Sequence, residues 1–312
     1  MGKKLTIVLV ALVIISFITL WATVPDQPQV AGKVFVKMPA APLERGFLTI
    51  ENWDSFFPGD TLKNNSFKID DRIYNIIGRN VSSIDLEAYD EGSPEHKWIA
   101  NIAVYHTSDS TFFMYQAKQA RPTNNPFRKI SSWFKMNAQD NQLNMICDAA
   151  SNYFNSIEHI YGFKIIENKM ADLTMLSTKM TTIDTPDVKS IYTLIGTLRD
   201  AIKDTDAEPI DSPMLNITRI TEKELVTMVA IPISKDIPVH GNILLKKMIP
   251  GNKLETTVKG GELRLKSAYQ AMRFYMEDQM KTAPAIPYQI LMTNRLNTPD
   301  SLWITKINFP IF

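Results

Sequence analysis

The residues able to do chemistry in this chain are few and mostly aromatic. Tyr192, Tyr269, Tyr275, Tyr288 and Trp303 fall in the C-terminal half, and ring faces of this kind can hold a flat or cationic small molecule. The same residues also serve as ordinary core packing. Glu262 and Glu277 lie on or beside a helical stretch. A carboxylate there either works as a base, if buried beside a tyrosine hydroxyl, or simply faces solvent. The four histidines, His96, His106, His159 and His240, have no His or Cys partner at ligand spacing, and Cys147 is the one cysteine. No metal site and no disulfide is therefore expected. No nucleophile elbow and no glycine-rich phosphate loop occurs, so no catalytic residue and no cofactor is assigned. The net charge of +1 offers no basic excess for counterion release, and nucleic acid is not an expected partner.

The elements that must position these residues follow from periodicity. A length of 312 residues suits about two domains. In the second, a strand over Leu173 to Ile183 leads into a helix over Asp187 to Lys203. Val188, Ile191, Leu194, Ile195, Leu198 and Ile202 share one face of that helix. Strands Met214 to Ile220 and Leu225 to Ile233 complete a βαββ unit. The order recurs as a strand over Leu244 to Val258, a helix over Leu263 to Met280, and strands Tyr288 to Asn294 and Leu302 to Ile311. Ser212-Pro213-Met214-Leu215 parallels Ile286-Pro287-Tyr288-Gln289, and Ala230-Ile231-Pro232-Ile233 parallels Asn308-Phe309-Pro310-Ile311. Two such halves cannot each bury a sheet face alone, so they should pack around a shared groove.

The first domain reads as a strand (Gly32 to Lys37), a proline break (Pro39 to Pro42) and a helix-compatible stretch (Leu43 to Phe57). Strands follow over Ser66 to Ile77, Val81 to Asp90, Trp98 to His106 and Thr111 to Lys118. After an irregular loop (Arg121 to Phe127), a long amphipathic helix runs from Met136 to Ile160 and ends at Gly162. Trp53, Phe113, Tyr115, Phe127 and Trp133 either line an apolar cavity or fill it. The 15 methionines either adapt to apolar ligands or plug gaps.

Ahead of both domains, Lys3 and Lys4 precede the uncharged run Leu5 to Val24. As a helix this run matches the ~30 Å hydrocarbon core. Trp21 suits an interface and the lysines place the N-terminus in the cytoplasm. Residues 1–24 are read as a transmembrane signal anchor and 25–32 as a linker. A cleaved signal peptide is the rival reading, though Ala22-Thr23-Val24 is a poor cleavage site.

Residues 164–312 resemble a GyrI-like effector-binding domain. The carriers are Val258-Lys259-Gly260-Gly261, Ala268-Tyr269-Gln270-Ala271, Ile286-Pro287-Tyr288-Gln289-Ile290 and Ile307-Asn308-Phe309-Pro310-Ile311. Residues 33–163 are similar to the START-like (SRPBCC, polyketide-cyclase-like) fold through Trp53, Phe57-Pro58, Asn125-Pro126-Phe127 and Trp133-Phe134. The fold class implied is α+β: an antiparallel sheet around a long C-terminal helix, then a tandem βαββ domain, with one N-terminal transmembrane helix. The resemblance implies a small-molecule ligand, often an amphipathic cation, in the groove between the two halves. In that family a glutamate commonly follows the Pro-Tyr pair, where this chain has Gln289. A neutral amide supplies neither the Coulomb attraction for a cation nor a general base. Gln289, Tyr288, Trp303, Tyr192, Tyr269, Tyr275 and Glu262 are the expected ligand-binding residues. The expected role is a sensor or carrier in the bacterial cell envelope, its soluble domains outside the cytoplasmic membrane. The alternatives are a hydrolase or cyclase using Glu262 or Glu277, and a scaffold with both cavities filled.

Overall fold

Gly2–Thr23 forms the first helix, α1, because no proline or internal glycine interrupts the run. The computed structural model describes residues 2–108, 110–123 and 125–311, with side chains from residue 7 onward. Among the described residues no helix is long and apolar enough to cross a membrane. The side chains of Leu5 and Thr6, part of the expected span, lie outside the described residues. The chain divides into two compact units, the first, which includes α1, ending at Ser156 and the second beginning at Ile157. Among the described residues each unit holds one antiparallel sheet, so the architecture is mixed α+β.

In unit 1, β1 (Gln29–Val36) starts inside the stretch expected to be linker. It pairs along its whole length with β7, from Gln29↔Lys118 to Val36↔Thr111. The expected proline break is instead the opening of helix α2 (Ala40–Phe47). Pro42 sits in its first turn, where a missing N–H leaves no bond unmade. A 3-10 turn and the short α3 (Trp53–Phe56) follow. Then come β2 (Asp60–Thr61), β3 (Ser66–Ile69), β4 (Arg72–Arg79), β5 (Ser83–Asp90), β6 (Ser93–His106) and β7 (Thr111–Gln119). The strand expected over Ser66 to Ile77 is two strands, because Asp70 takes a positive φ of 53° and reverses the chain. Helix α4 (Pro126–Phe154) begins ten residues before the expected Met136 and stops short of Ile160. Asn125 caps it by accepting from the backbone N–H groups of Phe127 and Arg128, with Pro126 in the first turn. Asn124, within the expected loop, lies outside the described residues.

Of the aromatic residues expected at a unit 1 cavity, Trp53 and Phe113 pack on Phe47, and Tyr115 is buried with its hydroxyl donating to Asp140 Oδ1 at 2.9 Å. Phe47 lies 4.6 Å from Phe113 and 5.1 Å from Trp53 between ring centroids. The Trp53 indole donates to the Phe47 carbonyl at 2.8 Å, and both residues are fully buried. Phe127 and Trp133, on the first turns of α4, are instead exposed.

Unit 2 opens with α5 (Ile157–Tyr161) and β8 (Ile166–Lys169). One half of the duplication is β9 (Thr174–Thr182), α6 (Val188–Lys203), β10 (Met214–Thr221) and β11 (Glu224–Ile233). After β12 (Leu244–Lys247), the other half is β13 (Asn252–Lys259), α7 (Glu262–Asp278), β14 (Tyr288–Leu291) and β15 (Ile304–Ile311). The sheet order is β12-β9-β11-β10-β14-β15-β13-β8. Each half therefore contributes three strands in the same relative order, and the halves join at β10 and β14. Leu176 opposite Ile231 in one half matches Leu254 opposite Phe309 in the other.

The stretch expected as one strand over Leu244 to Val258 is broken at Pro250-Gly251. Its two pieces lie at opposite ends of the sheet: β12 pairs with β9, and β13 with β15. β8, in a stretch where no element is expected, pairs with β13. Thus the short strand that leads into each half is paired with the other half. Both are brief and carry lysine (Lys169, Lys246, Lys247), which discourages a further strand from adding at the edge.

Helices α6 and α7 cover one face of this sheet. Ile191, Ile195, Leu198 and Ile202 of α6 pack on Leu176, Leu215, Val229, Ile231 and Leu291. Leu265, Ala268, Ala271, Met272 and Met276 of α7 pack on Leu254, Val258, Ile307 and Phe309.

Candidate functional site

The two halves meet where Leu215 of β10 pairs with Gln289 of β14. These two positions correspond in the duplication, so they face each other across its pseudo-twofold axis. Both point toward the helices, and between α6 and α7 they floor a groove of about 210 Å³. Ile217 extends the apolar floor. The start of α6 supplies Val188 and Ile191 on one side, and α7 supplies Glu262, Lys266 and Tyr269 on the other. Arg295 and Trp303 close the end.

Those last two residues come from the loop between β14 and β15, and this loop breaks the symmetry. In the first half, β10 and β11 are paired from Met214↔Ala230 through to Thr221↔Glu224. In the second, β14 stops at Leu291 rather than the expected Asn294, and β15 resumes at Ile304. The intervening residues turn back over the groove. Tyr192 of α6 pins them: its hydroxyl accepts from the Arg295 N–H at 2.7 Å and donates to the Thr293 carbonyl at 3.2 Å. Trp303 donates from its indole to the Thr298 carbonyl at 2.9 Å. Gly260 and Gly261 let this loop approach α7. The φ of Gly260 is +135°, and a Cβ on Gly261 would stand 2.8 Å from Asp300 Oδ2.

Arg295 is the unusual member of this site. It is 9% exposed. Its Nη2 donates to Gln289 Oε1 at 3.0 Å and to Thr305 Oγ1 at 2.7 Å. The guanidinium lies 4.6 Å over the Trp303 ring, a cation–π contact that fixes its plane. The buried Nε has no partner. Among the described residues no carboxylate comes within ion-pair distance of it. Burial draws its pKa down, while Tyr192, Glu262 and Tyr269 act the other way; a guanidinium nonetheless stays charged. Burial also raises the Tyr269 hydroxyl, against the pull of Gln289 and Arg295.

Of the seven expected site residues, the structure brings four together: Gln289, Tyr269, Trp303 and Glu262 line the groove. Tyr192 stands behind it, holding the loop. Tyr275 lies farther along α7, edge-on to Tyr161 at 5.3 Å, in the core beneath α7. Tyr288 does not share the groove either. Successive strand residues point to opposite faces, so Tyr288 faces away from Gln289 into a second cavity of about 270 Å³ on the sheet's other side. Its ring packs with Met175, Met214 and Met248, and its hydroxyl is 3.8 Å from Met248 Sδ. Burial, then Glu255 and Asp211, push that hydroxyl up to about 12.

Glu277, the other candidate base, is exposed on α7 and does not line the groove, and Glu262 is exposed at its rim. Glu255, which is buried, accepts from Lys253 at 2.7 Å and lies 3.5 Å from Lys306. Burial raises its carboxyl, but these two lysines outweigh that and hold it below the ordinary range. Among the described residues no cluster of His, Cys, Asp or Glu is arranged to hold a metal ion. Arg295 is not legible in the sequence because a single arginine in a polar loop leaves no periodic trace. The neutral residue at position 289 was the available hint that the groove's charge comes from elsewhere.

No family model matches the chain, and no curated protein does. Among solved structures it is similar to the EcmrR C-terminal domain, with a TM-score of 0.43 and 16% identity over 48% of this chain and 98% of that one. It is also similar to a hydrolase from Listeria innocua, with a TM-score of 0.37 and 10% identity over 48% and 92% of the two chains. A third is SAV2435, solved bound to tetraphenylphosphonium, with a TM-score of 0.31 and 11% identity over 48% and 94%.

Proposed function

We propose that this chain is a small-molecule-binding protein of the cell envelope, with the groove between α6 and α7 as its binding site. The GyrI-like unit 2 does the binding. The START-like unit 1 joins it to an anchor at residues 5–24, which leaves both units outside the cytoplasmic membrane and the N-terminus inside. The anchor rests on the paired lysines ahead of an uncharged apolar run of about 20 residues. The observation that carries the binding role is the groove itself. An apolar floor, aromatic walls and a few convergent polar groups meet at the junction of the two halves, the composition that small-molecule sites share.

Its test is a thermal-shift screen of the full chain in detergent micelles against aromatic acids, amides and ammonium compounds. A ligand that binds the folded state alone at about 100 times its Kd adds about 2.7 kcal/mol to stability. Val188→Trp, which places an indole in the groove from the start of α6, should abolish the shift. Absence of any stabilising compound, or an undiminished shift in Val188→Trp, overturns the reading. Membrane attachment is tested by fractionation: the chain should stay with membranes after a high-salt wash and leave them when residues 1–24 are deleted.

A further inference from the structure

We propose that the groove selects organic anions: molecules with an apolar, preferably flat body and one carboxylate or equivalent oxyanion, whose acid group is received by Arg295. The proposal rests on the groove being the binding site and names its ligand class.

A buried guanidinium carries five N–H donors. Here two find neutral acceptors, Gln289 Oε1 and Thr305 Oγ1, and the Nε donor is buried without one. The Nη1 donors have no acceptor among the described residues. Burying a cation without a counter-charge is costly, and proteins normally relieve that cost with a carboxylate. Glu262 lines the same groove, but it is exposed and beyond ion-pair distance. Two neutral acceptors and a ring face hold the cation in position without neutralising it. An arrangement of this kind is complete only when a bound anion supplies the missing charge, and the planar fork of arginine suits a carboxylate.

The rest of the groove fits the same ligand. Leu215 and Ile217 floor it beside Arg295 and would take an apolar body, with the Tyr269 ring alongside. The second basic residue of the lining, Lys266, stands on the rim opposite in sign to Glu262. With Arg295 and Lys266 against Glu262 the lining is net positive, so a cationic ligand would enter against the field. Gln289 is explained as well. A carboxylate at that position, 3.0 Å from Nη2, would pair with Arg295 and remove its capacity for an anion.

Three probes of one shape separate the possibilities: naphthalene-2-carboxylate, naphthalene-2-carboxamide and trimethyl(2-naphthyl)ammonium. They are titrated into the full chain in a neutral detergent by calorimetry. A charge-assisted hydrogen bond predicts that the carboxylate binds about ten- to a hundredfold more tightly than the amide, with the ammonium weakest. In Arg295→Met the carboxylate should fall to the level of the amide. Gln289→Glu keeps the arginine and supplies a partner for it, so it covers the case in which Arg295→Met fails to fold; it should abolish the carboxylate preference.

If the amide or ammonium binds as tightly as the carboxylate, and Val188→Trp removes that binding, the groove is a binding site and the anion assignment is wrong. A carboxylate preference that survives Gln289→Glu also overturns the assignment. Failure of all three probes, while a compound of the wider screen binds the chain but not Val188→Trp, overturns the anion assignment alone; failure of every compound overturns both readings.

Discussion

Tyr192→Phe tests how Arg295 is held. The hydroxyl makes two hydrogen bonds to the backbone of the loop, one from the Arg295 N–H and one to the Thr293 carbonyl. Phenylalanine keeps the ring that packs against the α6 core and removes only the oxygen. Each neutral hydrogen bond contributes about 0.5–1.5 kcal/mol, and a half-buried donor left without an acceptor lies toward the upper end. Loop opening should therefore become easier by about 1–2 kcal/mol, a factor of about 5 to 30 in the population of the open form. Hydrogen–deuterium exchange of the full chain reads this directly. Amides in 293–298 should exchange faster by that factor, while those of α6 from Ile195 to Ile202 keep their rate. Carboxylate affinity should weaken, yet by less than in Arg295→Met, since the guanidinium remains. Loop amides that exchange at the original rate, or a rise of equal size throughout unit 2, would refute the idea that this tyrosine acts as a local tether.

Leu176→Ala and Leu254→Ala occupy matching positions and are both fully buried, so each should destabilise unit 2 by a similar amount, about 2–5 kcal/mol; unequal midpoints in urea would mark one half as the weaker. Asn125→Ala removes the cap of α4 and should cost about 1 kcal/mol, seen as a lower unfolding midpoint of unit 1 with the helix otherwise intact. Burial raises the Asp90 carboxyl, but Lys135 at 2.7 Å and Arg72 at 2.8 Å outweigh it and hold its pKa below the ordinary range. Its folded value lies under its unfolded one, so the stability it contributes is present above about pH 4 and is lost as pH falls through the lowered value. Asp90→Asn should flatten the acid limb of unit 1 stability below about pH 4, followed by circular dichroism.

What the sequence disclosed, and what it hid, follows from where each element takes its cues. Helix α6 was readable because Ile191, Ile195, Leu198 and Ile202 repeat at helical spacing behind an Asp187 cap. The first turns of α4 were hidden because Phe127 and Phe134 face outward, so the apolar stripe starts only later; the Asn125-Pro126 cap was the sole sign. Asp70 and the Pro250-Gly251 pair each split what alternation alone reads as one strand. Alternation also held unused information about the site. It separates Tyr288 from Gln289 onto opposite faces, although neighbouring residues in one motif invite a single pocket. Which loop would fold back over the groove depended on long-range pairing, β10 with β14 and Tyr192 with the Arg295 backbone, and no local pattern reports that.

The exchange of leading strands has a mechanical consequence. β8 departs from the beginning of one half to finish the far border of the other, and β12 returns the gesture at the opposite border. Neither repeat can peel away without tearing its own entry segment from its neighbour. Pulled from its ends or warmed, unit 2 should give way in one event rather than repeat by repeat, and a severed single repeat should lack the border it needs to stand alone. A crevice founded on such an interlock keeps its two walls at a fixed spacing, which leaves the loop of Arg295 as the part free to adjust to a guest.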